Sequence, residues 1–448
     1  MTSAVLCPPI TEPVVALQPS RSPLDQVIFY GAFGLLLFGP LAFGATEPWS
    51  IFVLQSGSAS LLLLWAFRQV QLGELVIMKS PLFAPMLLFV ALVGFQSIAG
   101  QTGYRYQTFR VALLYFAYGA LILVVVQSLR RTSQVKSLTV LFSAYGFAMA
   151  IFALLQSTSS SGKLYWVRTP RSGGWIYGPY VNHNHYAGLM EMLVPIPLVF
   201  ALSRYARGPR RTMAAIAAAV MASTIFLSGS RGGMVALAIQ MAILAGILLR
   251  QRKSRRLALV VGAFLAVSVG LLAWLGGGEL TKRMASIRTE ARAELSGGTR
   301  LDITRDGLKM FMRKPLLGWG LGVFPDVYPE FRSFYSDLFV NAAHNDYLQL
   351  LVEMGAFGFI AMLWFLVVVY RRAAKKMGKW VHDVNGAAAL AATLGITGIL
   401  VHSFFDFNLQ IPANAALFYV LSAIAAMEPR FGLTRRRHSH RQEADAAA

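Results

Sequence analysis

The sequence predicts an all-α polytopic membrane protein of about 12 transmembrane helices with one large extracytoplasmic loop. Three observations carry that reading. Hydrophobic residues make up 56% of the 448 residues and charged residues 14%, at a mean hydropathy of +0.55, a balance typical of lipid-embedded chains. Apolar runs long enough to cross a hydrocarbon layer of ~30 Å recur along the chain. The connections between them alternate between basic and non-basic, as the positive-inside rule requires.

The runs fall near 27–44, 49–67, 82–99, 108–128, 137–156, 185–203, 211–228, 233–249, 257–275, 346–370, 386–404 and 409–427. One set of connections carries Arg68 and Lys79; Arg130, Arg131 and Lys136; Arg204, Arg207, Arg210 and Arg211. The same set continues with Arg250, Arg252, Lys253, Arg255 and Arg256, with Arg371, Arg372, Lys375, Lys376 and Lys379, and with Arg435 to Arg437 in the tail. These connections and both termini are therefore expected in the cytoplasm. The proline-rich residues 1–25 precede any apolar run, so they predict a cytoplasmic tail and no signal peptide. Residues 429–448 predict a second, basic tail. The net charge of +21 is accounted for by cytoplasmic loops and anionic membrane lipids, so no nucleic-acid partner is expected. A single cysteine, Cys7, excludes an intramolecular disulfide framework and a multi-cysteine metal site.

The opposite connections are short and poor in Lys and Arg, except for loops at 157–184 and 276–345. Long loops escape the charge rule, so both are expected outside. Four polar clusters then share the outer face: Val181 to Ala187, Leu227 to Gly233, the loop from Arg300 to His344, and His402 to Asn408. Singly, each has a plain explanation: a snorkelling arginine, a hydrogen-bonded histidine or a helix cap. Together they predict a site, because ionisable groups near membrane depth are costly and tend to be functional. Arg231 sits among Gly and Ser residues, where backbone N–H groups and a guanidinium can converge on an anion. Arg300 follows two glycines and precedes an amphipathic segment from Leu301 to Phe311. Two arginines without a nearby acidic pair suggest a phosphate or diphosphate ligand. No His-x-x-x-His pair lies on a span and no Asp-x-Asp lies in an outer loop, so neither a metal nor another cofactor is expected.

The chain resembles the O-antigen ligase/polymerase family of bacterial envelope glycan enzymes. The resemblance is carried by Asn182-His183-Asn184-His185-Tyr186-Ala187-Gly188, by Ser228-Gly229-Ser230-Arg231-Gly232, and by Arg300 followed by Pro315-Leu316-Leu317-Gly318-Trp319-Gly320. His344-Asn345-Asp346-Tyr347-Leu348, Glu353-Met354-Gly355 and His402-Ser403-Phe404-Phe405-Asp406-Phe407 complete it. It covers most of the chain and is strongest over the sixth to tenth spans. One departure is Thr304, where many relatives carry Trp, and it leaves Arg305 as an alternative to Arg300.

The resemblance implies that 26–428 form a transmembrane O-antigen ligase-like domain similar to the C-type glycosyltransferases. It implies metal-independent glycosyl transfer at the outer face of the bacterial cytoplasmic membrane, with inversion. The donor would be a glycan on undecaprenyl diphosphate, and the acceptor a saccharide or another lipid-linked glycan. Carried over by motif, Arg231 and Arg300 would bind the diphosphate and His344 would activate the acceptor hydroxyl. Asn184, His185, Asn345, His402 and Asp406 are further candidates for the same site. Ligase and polymerase remain equally open. A transporter of an anionic solute or lipid-linked glycan is the competing class, though the one-sided polar clusters fit poorly with a midplane carrier site. A scaffold for envelope assembly has no positive feature.

Overall fold

The computed structural model describes residues 22–73, 75, 77–169, 175–250, 262, 297–335 and 339–427. The chain is a helical bundle; among the described residues there are isolated β-bridges but no strand. In order, the helices are α1 Pro23–Leu41, α2 Pro48–Leu72, α3 Phe83–Ile98, α4 Arg105–Ser128, α5 Thr132–Ser159, α6 His183–Leu193 and α7 Pro195–Leu202. They continue with α8 Pro209–Leu227, α9 Arg231–Arg250, α10 Gly297–Arg313, α11 Phe324–Val327, α12 Asp346–Met377, α13 Val384–His402 and α14 Pro412–Ala426.

Among the described residues nine helical segments are long and apolar enough to cross a membrane, with α6 and α7 together counting as one. Helices α3 and α14 are apolar but shorter. The span expected at 257–275 lies outside the described residues, as do 276–296 of the expected outer loop and most of both expected tails. The described residues therefore supply nine spans and two shorter apolar helices where the sequence predicts twelve spans.

Two spans depart from the regular ones the sequence predicts. The span expected at 185–203 starts at His183 and loses one backbone hydrogen bond at Pro195, which has no N–H to give, while Val194 keeps helical φ and ψ. All of α6 and α7 beyond Asn184 is buried, as suits a helix apolar on every side. Helix α13 packs against it through small residues: a Cβ on Gly395 would lie 2.7 Å from the Met192 carbonyl oxygen. Gln240 of α9 closes this inner layer, its Nε2 donating to the carbonyls of Glu191 (2.8 Å) and Leu394 (2.9 Å).

The second departure is a break at Gly355 in α12, whose φ of 63° and ψ of −168° leave the helix. Residues 315–320 fill it. The N–H groups of Ala356 and Phe357 donate to the Pro315 and Leu316 carbonyls at 2.8 and 3.2 Å, and those of Trp319 and Gly320 donate to the Val352 and Glu353 carbonyls, both at 2.9 Å. A Cβ on Gly355 would stand 2.3 Å from the Leu316 oxygen, and one on Gly318 would stand 2.4 Å from the Glu353 oxygen. Both glycines have positive φ, so they serve conformation and close approach together. The Glu353 carboxylate accepts from the Gly322 N–H (2.7 Å) and Gln349 Nε2 (3.0 Å). From α3, Gln96 Nε2 donates to the Leu317 carbonyl and, at 2.9 Å, to that of Glu353. The glycine-rich motif and the Glu353-Met354-Gly355 motif are thus two halves of one structural lock. Because backbone of the same chain fills this break, it is no solute site of the kind a carrier builds from broken helices.

The lock holds a small layer over one end of the bundle, formed by α10, α11 and the segment to Ala343. Ile303, Met310, Val323, Phe324 and Tyr328 form its core against Leu348 and Val352 of α12. Asp306, fully buried, ties it together by accepting from Lys309 Nζ (2.8 Å), Ser333 N (2.8 Å) and Ser333 Oγ (2.9 Å). Burial alone would raise its pKa, but those donors outweigh it and hold the carboxyl below its ordinary value. At the other end, the turns rich in Arg and Lys meet: Arg204 N donates to Val381 O at 3.0 Å, and Lys136 Nζ stands 5.6 Å over the Tyr205 ring.

Candidate active site

Helix α6 begins with Asn182 as its cap, Oδ1 accepting from Asn184 N at 2.8 Å. This sets Asn184 on the first turn, where its Nδ2 donates to Asp406 Oδ2 at 2.6 Å. Asp406 Oδ1 accepts from the Phe407 N–H at 2.8 Å and lies 3.4 Å from His344 Nδ1. That last contact is too poorly aligned to be a hydrogen bond, so in this state it is a charge–dipole contact. Asp406 is 1% exposed. Burial alone would raise its pKa, but His344, His185 and His402 outweigh that and hold the carboxyl far below its ordinary value.

His344 has a φ of 51°, a left-handed conformation that costs a residue with a Cβ about 1–2 kcal/mol. The strain follows from its place immediately before the α12 cap, where Asn345 Oδ1 accepts from both Tyr347 N and Leu348 N at 3.0 Å. The cap of α12 is Asn345. The ring of Phe407 lies between two imidazoles, edge-on to His344 at 4.9 Å and to His185 at 4.8 Å. Asp346 instead turns inward and anchors the 403–410 segment, accepting from Ser403 Oγ (2.8 Å), Leu409 N (3.0 Å) and Gln410 Nε2 (3.3 Å).

Arg300 reaches the same segment from α10, its Nη1 donating to the Phe405 carbonyl at 3.2 Å. Asn345 Nδ2 donates to the neighbouring Phe404 carbonyl at 3.3 Å. Arg305 does not join them; it pairs with Asp302 of its own helix at 3.5 Å and stays 65% exposed. Thr304 turns its hydroxyl back to the Arg300 carbonyl at 2.9 Å.

A second tier lies seven residues further along α6, about 10 Å at 1.5 Å per residue. There Glu191 Oε1 is 2.8 Å from His402 Nδ1. His402 Nε2 is 3.4 Å from Ser230 Oγ, in the turn that opens α9 with Arg231. Arg231 is exposed and Ser230 buried. Trp175 covers this turn, its indole against Gly229 and its ring tilted over His183 at 4.6 Å. The first turn of α6 aims His183 at Trp175 and His185 at Phe407.

Of the expected residues, then, Asn184, Asp406, His344, Asn345 and Arg300 converge on the 403–408 segment, and His185 joins through Phe407. His402 contacts Ser230, the chain neighbour of the exposed Arg231, one tier below, and Arg305 stands apart. Sequence reasoning missed Glu191. Its signal was available, since a lone carboxylate in Leu189-Met190-Glu191-Met192-Leu193 is expensive in a membrane. Trp175 was missed too, with no such signal. Among the described residues, no three His, Cys, Asp or Glu side chains are arranged to hold a metal ion.

The family model described as O-Antigen ligase matches residues 216–363. The matched segment runs from within α8 to the middle of α12, and so holds the Ser228–Arg231 turn, Arg300, the 314–322 segment, His344 and Glu353. The Asn182–Gly188 and His402–Phe407 motifs lie outside it. No curated protein matches the chain. Over this third of the chain the protein is similar to the O-antigen ligase family, and that similarity together with the apolar helices supports a multi-pass membrane protein of the glycosyl-transfer type.

Proposed function

We propose that this protein transfers a glycan from undecaprenyl diphosphate to an acceptor hydroxyl at the outer face of the cytoplasmic membrane. The observation that carries the reading is the convergence of His344, Asp406, Asn184 and Arg300 on one segment. They come from four separate parts of the chain, at the end of the bundle away from the basic turns.

Asp406, ionised and fixed by Asn184, orients the His344 imidazole. The imidazole takes the proton of the acceptor hydroxyl as general base. The acceptor oxygen bonds to the anomeric carbon while the bond from that carbon to the diphosphate oxygen breaks. Attack from the side opposite the leaving group inverts the configuration. Negative charge then grows on the diphosphate, and Arg231 and Arg300 stabilise it in the place a divalent ion would occupy.

The test is deletion of the gene in its native host, followed by gel analysis of surface polysaccharide. Unligated lipid-linked polymer identifies a ligase, and single repeats identify a polymerase. An unchanged profile sinks the proposal and favours the competing transporter reading.

A further inference from the structure

We infer that Glu191 and His402 form a buried positioning pair that sets the Arg231 turn against the segment bearing Asp406. The inference rests on the proposed role of Arg231 and concerns how that role is supported.

Glu191 is 0% and His402 1% exposed, so the 2.8 Å contact between them is shielded from water. Oε2 of Glu191 has no hydrogen-bond partner, which leaves the carboxylate dependent on His402. The imidazole is thereby held with Nε2 toward Ser230 Oγ, and Ser230 Oγ in turn accepts from the Gly233 N–H at 3.2 Å. On the other side of Arg231, the His402 ring occupies the space where a Cβ on Gly232 would go. Such an atom would stand 2.5 Å from Cδ2 and 2.6 Å from Nε2. A Cβ on Gly233 would press on Ala187 at 2.9 Å and on Glu191 Oε1 at 3.0 Å. Arg231 is therefore flanked by Ser230, whose hydroxyl meets the His402 ring, and by Gly232, whose backbone packs on that ring.

The same histidine reaches the other half of the site through its main chain. Its carbonyl accepts from Phe405 N at 2.8 Å and Asp406 N at 3.2 Å. One residue thus fixes the turn of the diphosphate-binding arginine with its ring and the turn of Asp406 with its carbonyl. Glu191 fixes the ring. Neither side chain is placed to touch substrate.

A purely structural pair gives a different result when it is replaced. Buried ion pairs are commonly exchanged for apolar residues without loss of stability, whereas a positioning pair cannot be so exchanged without loss of function. The experiment measures binding of undecaprenyl diphosphate to the purified full chain, with thermal stability read in parallel. Arg231→Ala should weaken binding about tenfold or more, as loss of a charge-assisted fork does. Glu191→Gln keeps an acceptor for His402 and should bind within about threefold of wild type. The double variant E191L/H402L should stay as stable as wild type yet bind about tenfold more weakly. Gly232→Ala should weaken binding to a similar degree, and add nothing in the E191L/H402L background, where its methyl has room.

Wild-type binding by a folded E191L/H402L overturns the inference. So does Glu191→Gln binding as weakly as that double variant. Should the double variant not fold, wild-type binding by Gly232→Ala overturns it alone. If Arg231→Ala itself binds normally, the proposed role of Arg231 fails, and the inference falls with it.

Discussion

Nδ1 of His344 stands 3.4 Å from Oδ1 of Asp406, although 62 positions separate the two in sequence. Asp406 is fixed from behind by Asn184 and held ionised by the imidazoles around it. A histidine with its Nδ1 beside a fixed carboxylate is held in one ring orientation, with Nε2 left for a substrate proton.

Asp406→Asn should keep the fold and lower transfer about 10²-fold, measured with purified protein at saturating donor. The stability difference from wild type has a definite sign with pH. Because the folded-state pKa of Asp406 is depressed, its contribution is fully present above the unfolded value of about 3.9 and is lost as pH falls below it. The melting-temperature gap between wild type and Asp406→Asn should therefore be constant from about pH 5 to 8 and narrow below about pH 4.

Arg300 and Arg305 should separate cleanly. Arg300 reaches the Phe405 carbonyl, whereas Arg305 makes an exposed pair with Asp302, a kind of contact worth about 0–1 kcal/mol. Arg300→Ala should lower transfer by about 10²-fold or more. Arg305→Ala should leave both transfer and melting temperature close to wild type. The reverse pattern would assign the loop arginine to position 305.

The lock at the α12 break predicts stability effects well away from the chemistry. Gly318→Ala puts a methyl on a positive-φ residue against the Glu353 carbonyl. Strain and overpacking together should cost about 2–4 kcal/mol. Denaturation in detergent followed by tryptophan fluorescence would detect it, and a change below about 0.5 kcal/mol, the range of neutral surface substitutions, would show the lock is loose.

Much of this was legible in the sequence, and the reasons differ by element. Apolar runs and basic turns announce a helical membrane bundle because lipid permits few other solutions. The Arg231 turn, His344 and Asp406 stood out because charge beside apolar helices is costly. The break at Gly355 was not legible, since nothing in that run shows that distant backbone from 315–320 takes its hydrogen bonds. The Pro-Leu-Leu-Gly-Trp-Gly motif was read as part of an active site, yet Gly318 to Gly322 spend their conformations on docking. Glu191 was passed over because a single carboxylate inside an apolar helix has no partner until the fold brings His402 to it.

Topology can be tested without a structure. On a Cys7-free background, a cysteine at position 296 should react with an impermeant thiol reagent in intact cells, and one at position 254 should react only after lysis. This follows from the alternation of basic turns. Reaction at 254 but not at 296 would invert the orientation.

The most direct measurement is transfer by purified protein from a glycan on undecaprenyl diphosphate to a saccharide acceptor, with EDTA present. The expected result is turnover by the wild type in EDTA and a loss of about 10²–10⁴-fold in His344→Ala, the range for removing a general base. The variant should retain the wild-type melting temperature, because His344 lies at the edge of the bundle rather than in its packed core. Near wild-type turnover by a folded His344→Ala, or a wild type silenced by EDTA and restored by Mg²⁺, would contradict it.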